Sequence, residues 1–235
     1  MTWPAVRSEI ETLDLVLSGR SLARYGDGEL TLAEGKSIVN QPRGPEICQR
    51  LRGILLGDGE PCLVGIPNIL SKTPKAKFWA KYTRCTPLLT PGMAYASSFI
   101  TRPDNAPWID VPVYWQKLEA IWRGKDVTLV RGDAPAPHPK QPDRFTGAVS
   151  LVASDLDSAK SVTEIIGPSV NAWRVYDDLL SQIGRPSLAL LCLGATATVM
   201  AVDLCKRGVH AIDLGHIGMF RALHLKGKPM MKAYR

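Results

Sequence analysis

The feature that most constrains the fold is a recurrence. Short apolar runs at residues 22–25, 62–66, 127–131, 149–153, 188–193 and 209–214 alternate with helical periodicity at 6–17, 45–56, 113–122, 169–183 and 195–207. Strands separated by helices predict an α/β chain built on a mostly parallel sheet. The run Leu188-Ala-Leu-Leu-Cys-Leu193 is apolar throughout, as expected of a strand with helices on both faces of its sheet. A length of 235 residues suits one domain spanning 1–235 with a sizeable core. The exception to the pattern is 132–146, where Pro135, Pro137, Pro139 and Pro142 exclude a regular element. A mobile loop is expected there.

Composition narrows the setting. The uncharged stretch 186–202 is too short to span a bilayer comfortably and contains Gly194, so no membrane span is expected. The N-terminus lacks the basic segment and apolar run of a secretory signal. Cys48, Cys62, Cys85, Cys192 and Cys205 are scattered without metal or redox spacing, which favours a reducing cytoplasm. The net charge of +7 suggests an anionic partner. Basic residues gather at Arg221, Lys226, Lys228, Lys232 and Arg235, and at 72–84, where Phe78, Trp79 and Tyr82 are interleaved. That mixture suits a nucleic acid, but charge runs more often form a solvated helix face with its aromatics turned inward.

Four stretches carry chemistry. In Arg24-Tyr25-Gly26-Asp27-Gly28-Glu29, two carboxylates stand one residue apart after an apolar strand. In an extended segment Asp27 and Glu29 would face the same way and converge on one cation, with Gly26 and Gly28 allowing close approach of a ligand. Hard oxygen ligands favour Mg²⁺ or Mn²⁺ shared with a diphosphate. The same residues also suit an ordinary turn. Further on, the strand at 188–193 turns at Gly194 and opens a helix near Thr196. Its free N–H groups, with the hydroxyls of Thr196 and Thr198, suit a phosphate, although Thr196 could simply cap the helix. The strand at 209–214 then delivers Asp213, Gly215 and His216 at its carboxyl end, with Asp213 as a metal or ribose partner, His216 as a general base or a donor to a phosphate oxygen, and His210 structural. Between these lies Tyr95-Ala-Ser-Ser-Phe-Ile-Thr-Arg-Pro-Asp104, in which Ser98 and Arg102 stand in a loop context and Arg102 can clamp a diphosphate bidentately.

As an ordered set these stretches resemble the GT-D-fold glycosyltransferases, once known only as a domain of unknown function. Asn171-Ala-Trp173, Tyr176-Asp177 and Trp122-Arg-Gly-Lys-Asp-Val127 are similar to that family too. The resemblance implies a Rossmann-like single domain, an Asp-x-Glu metal motif on Asp27 and Glu29, and a nucleotide-sugar donor, UDP-linked by family analogy. It implies donor contacts from Arg24, Gly26, Gly28, Ser98, Arg102, Gly194, Thr196 and Thr198. His216 and Asp213 would serve on the catalytic side. Family members follow Gly-His with an acidic run, whereas this chain reads Gly215-His216-Ile217-Gly218-Met219-Phe220-Arg221. The expected reaction is metal-dependent sugar transfer to a hydroxyl of a glycan or glycoprotein. The alternatives are transfer to hydroxylated bases in DNA, motivated by the basic charge, and a non-catalytic nucleotide-binding module.

Overall fold

The computed structural model describes residues 2–70, 72–133 and 151–228. Its centre is a seven-stranded sheet in the order β3-β2-β1-β7-β6-β4-β5, with every pairing parallel. The strands are β1 (Leu22–Arg24), β2 (Leu63–Ile66), β3 (Ala96–Ser97), β4 (Asp126–Gly132), β5 (Ser161–Gly167), β6 (Leu188–Cys192) and β7 (His210–Asp213). The helices are α1 (Glu9–Leu17), α2 (Asp27–Ala33), α3 (Pro45–Gly53), α4 (Ala76–Ala80), α5 (Val111–Ala120), α6 (Tyr176–Ile183), α7 (Ala195–Lys206) and α8 (Ile217–Leu225).

The period-2 alternation of strand side chains divides the core into two. Along β6, Leu188, Leu190 and Cys192 join Leu13, Tyr114, Leu118, Ile217 and Phe220 on the face covered by α1, α5 and α8. Ala189 and Leu191 point the other way, toward Leu30, Ile47, Leu179 and Val199 under α2, α3, α6 and α7. Both faces are therefore covered, and a strand in the middle has no polar side to show. Among the described residues no helix is long and apolar enough to cross a membrane.

Three expectations need correction. Of the strand expected at 149–153, the described part is irregular at 151–152 and enters a 3-10 turn, Ala153–Asp155. Asp155 accepts the Val152 N–H and Glu164 accepts the Ala153 N–H, so these amides turn to side chains rather than to a neighbouring strand. The edge is formed instead by β5, paired with β4 from Ser161↔Asp126 to Gly167↔Gly132. Its alternating sequence, half exposed, hides it among continuous apolar runs. Second, the helix expected at 169–183 is broken: Asn171 takes a left-handed φ of 53°, followed by a 3-10 turn at Ala172–Val175 and only then by α6. Third, the pair Asp27 and Glu29 is not extended. Gly26 is the N-cap of α2, and both acids lie in its first turn. Of the proline-rich stretch at 132–146, Gly132 ends β4 and Asp133 binds Ser169 N–H at 2.9 Å; residues 134–146 lie outside the described residues.

The basic clusters also change character. Arg221 is 2% exposed and pairs with Glu119 and Asp157, so it is a buried structural cation. Trp79 and Tyr82 are buried, and Lys81 sits over the rings of Phe78 and Tyr82. The inward-aromatic reading of 72–84 holds at those two positions, while Phe78 is exposed. Lys232 and Arg235 lie outside the described residues.

Candidate active site

The carboxyl ends of β1, β7 and β6 lie side by side at the centre of the sheet, where the chain order reverses: β1 leads outward to β2 and β3, while β7 returns from the other half. In open α/β sheets such a switch point leaves a crevice for ligands.

Arg24 ends β1 and is 5% exposed. Its guanidinium runs between two glycines. A Cβ on Gly26 would stand 3.0 Å from Nη1, and one on Gly215, whose φ is +48°, would stand 2.9 Å from Nη2. Only residues without side chains leave this channel open. The ion pair to Glu29 measures 3.8 Å, and Arg24 Nε is buried without a hydrogen-bond partner among the described residues. A buried charged donor left unpaired is costly, so the arrangement suits an incoming anion.

Beside it, β6 turns through Gly194, at a φ of +55°, into the twelve-residue α7. Thr196 is 1% exposed and its Oγ1 likewise has no partner among the described residues. The loop after α2 also reaches this turn: Asn40 Nδ2 would be 3.1 Å from a Cβ on Gly194. A guanidinium N–H and a hydroxyl, both without a hydrogen-bond partner among the described residues, thus accompany the N–H groups of a helix N-terminus.

Thr198 and Asp213 behave differently. Thr198 Oγ1 lies 3.0 Å from Arg24 O and 2.9 Å from Asp213 Oδ2, and Asp213 Oδ1 accepts the Gly215 N–H at 3.0 Å. A threonine hydroxyl carries one proton, so both of its contacts are satisfied together when Asp213 is protonated. Burial pushes the Asp213 carboxyl up to about 7, with Arg24 opposing and Glu29 reinforcing the rise. Both groups are locked beneath the crevice, tying β1, β7 and α7 together.

Beyond the carboxyl end of β7 His216 is exposed, and desolvation by the neighbouring protein together with the charges of Arg24 and Arg102 lowers its pKa below the ordinary imidazole value. The imidazole is neutral at physiological pH. Asp27 and Asp104 act on the same ring in the opposite direction. Arg102 follows the 3-10 turn Ser98–Thr101 and binds Asp104 through Nε at 3.0 Å and Nη2 at 3.2 Å. Ser98 is buried at the start of that turn, its N–H packed against β2 at Gly65. Gly28 faces Ile38, whose Cδ1 would meet an added Cβ at 3.1 Å.

Comparison with known proteins decides what this crevice belongs to. The sequence model of the family described as "Glycosyltransferase GT-D fold" matches residues 22–226. The chain belongs to the GT-D-fold glycosyltransferases. It is 30% identical over 233 residues to a probable glycosyl transferase, Gly, of Streptococcus gordonii, covering 91% of this chain and 32% of that protein. It is 30% identical over 224 residues to the glycosyltransferase GlyD of Streptococcus pneumoniae serotype 4, covering 88% of this chain and 26% of the other. The chain thus spans about a third or less of these curated relatives. Among solved structures, one described as a domain of unknown function 1792 with a distinct glycosyltransferase fold superposes with a TM-score of 0.78 at 29% identity, covering 95% of this chain and 82% of that one. A glycosyltransferase of the same domain type from Streptococcus sanguinis gives 0.77 at 28% identity, with 96% and 86% covered.

Within this GT-D-fold site the two acids of the Asp-x-Glu motif have different environments. Two residues apart on a helix of 3.6 residues per turn, they point roughly 200° apart. Glu29 is 4% exposed and turns back to accept the Gly26 N–H at 2.7 Å, half of a capping box. Asp27 is half-buried and close enough to act on His216, and no hydrogen bond to its carboxylate is found among the described residues. No group of three or more His, Cys, Asp or Glu forms a cage among the described residues. Mg²⁺ and Mn²⁺ commonly take one or two carboxylates with substrate phosphates, so Asp27 fits such an ion, while Glu29 uses its Oε2 on the Gly26 N–H and on Arg24.

Sequence reasoning did not pick out Asn40, Lys75 or Asp104 as site residues. Asp104 stood in plain view two residues after Arg102. Lys75, whose Nζ is 2.6 Å from Asp104 Oδ2, was hidden in a general run of basic residues.

Proposed function

We propose that this chain transfers a sugar from a nucleotide-sugar donor, UDP-linked by family analogy, to a hydroxyl of a glycan or glycoprotein. The observation that carries the reading is the pair of buried, unpartnered donors, Arg24 Nε and Thr196 Oγ1, beside the N-terminus of α7 in a glycosyltransferase fold. Arg24, the first N–H groups of α7 and Thr196 would bind the diphosphate, with Arg102 closing it from the β3 side. Asp27 would hold Mn²⁺ or Mg²⁺, whose chemistry there is to neutralise charge on the leaving diphosphate. Fixed donors in a crevice need no reorganisation as that charge grows. His216, neutral and open to solvent, can accept a hydrogen bond from the incoming acceptor hydroxyl and orient it.

The test is calorimetric titration of UDP, GDP, CDP and ADP, with and without Mn²⁺, against wild type and Asp27→Asn. The expected outcome is metal-dependent binding of one nucleotide by wild type and loss of the metal dependence in the variant. Binding that ignores both the metal and the substitution would remove the metal from the reading, and no binding of any nucleotide would remove the donor.

A further inference from the structure

We infer that Asp104 is a positioning residue: its buried carboxylate gathers Arg102 and Lys75 and holds the Arg102 guanidinium on the His216 side of the crevice, where it meets the donor diphosphate. The inference rests on the donor reading proposed above.

Asp104 is 3% exposed and sits in the short turn Pro103–Asn105. It accepts from Arg102 Nε and Nη2 at 3.0 and 3.2 Å, from Lys75 Nζ at 2.6 Å and from Asn105 Nδ2 at 3.1 Å. Asn105 is itself fully buried, and its Oδ1 accepts the indole N–H of the core residue Trp79 at 2.9 Å. The carboxylate is therefore anchored from the core outward, unlike an exposed ion pair that two flexible side chains must hold by themselves. Burial raises the Asp104 pKa, but Arg102 and Lys75 outweigh it and hold the group ionised below the ordinary carboxylate range.

The bidentate contact uses one edge of a planar group, Nε and Nη2, and so fixes the plane in which the guanidinium lies. Arg102 and Lys75 thus meet on one carboxylate. The charges of Arg102 and Asp104 both reach His216.

The test is a double-mutant cycle of wild type, Arg102→Ala, Asp104→Ala and the double variant, read by nucleoside diphosphate affinity with Mn²⁺ and by thermal melting; Asp104→Asn repeats the cycle should the alanine variant fail to fold. If Asp104 acts through Arg102, each single substitution weakens binding by about 10-fold and the double variant is no weaker than Arg102→Ala. The loss of melting temperature on removing Asp104, in contrast, appears with or without Arg102. A double variant weakened by about 100-fold, the product of the two, overturns the inference, as does an Asp104 variant that binds like wild type. Wild type that binds none of UDP, GDP, CDP or ADP overturns the donor reading and this inference with it, whereas wild-type binding with an additive cycle overturns the inference alone.

Discussion

Gly215→Ala should separate stability from ligand binding at this site, with Gly208→Ala as the control. Both glycines have positive φ, +48° and +81°. Alanine at either position pays for a left-handed conformation, about 1 kcal/mol, which in a chain of this size lowers the melting temperature by about 2–4 °C. Around Gly208, which closes α7, nothing lies within 4 Å of the new Cβ. At Gly215 the Cβ would meet three guanidinium atoms of Arg24 at 2.9–3.0 Å. The guanidinium can shift, but it is buried and paired with Glu29, so Gly215→Ala should lose at least as much stability as Gly208→Ala. The displaced Arg24, however, no longer aims at the anion. Losing one charged hydrogen-bonding interaction costs about 1.5–3 kcal/mol, or roughly 10- to 100-fold in affinity. Thermal melts and calorimetric titration with the nucleoside diphosphate that wild type binds would read both quantities. The reasoning is refuted if Gly215→Ala binds within about twofold of wild type, or if Gly208→Ala loses as much affinity, because Arg24 packing would then not be what differs.

Two further outcomes test the framework around the site. Arg84 grips Glu34 with two nitrogens, one at 2.8 Å, and pulls the carboxyl down to about 2. That stabilisation is complete above the ordinary value of 4.5 and is lost as pH falls through about 2. Glu34→Gln should therefore cost about 1 kcal/mol at pH 7, discounted because Arg84 is 44% exposed, and the gap from wild type in urea melts should close as the solution is acidified toward pH 2. A gap independent of pH would mean the pair contributes packing rather than charge. Leu190→Ala, at a fully buried position in the middle of β6, should cost about 2–5 kcal/mol in the same melts, and a loss under about 1 kcal/mol would contradict the packing described for that face.

The architecture was legible in the residues because burial on both faces writes itself into a strand as an unbroken apolar run. β6 and β7 could be read that way nearly to their ends, as could the glycine turn into α7. Membership of the GT-D-fold family was legible too, in the order of a few short stretches. β5 escaped because an edge strand alternates like any half-exposed segment, and its identity depends on the neighbour it pairs with. The site divided along the same line. Which residue types gather at the carboxyl ends of β1 and β7 follows from the order of the motifs, since parallel strands deliver their following loops to one edge. Which way each side chain points does not. Gly26 lets α2 begin at once, and that single backbone choice turns Glu29 back to its own N-terminus while the charge of Asp27 reaches His216. Asp213 is buried because Thr198, from another element, closes over it, and the channel for Arg24 exists only where Gly26 and Gly215 approach it from opposite loops. Asp104 and Lys75 meet across 29 positions of sequence. Local sequence determines which elements form, through periodicity and turn chemistry. Only tertiary packing brings distant residues together, and it thereby decides which charges find partners and which are left facing the crevice.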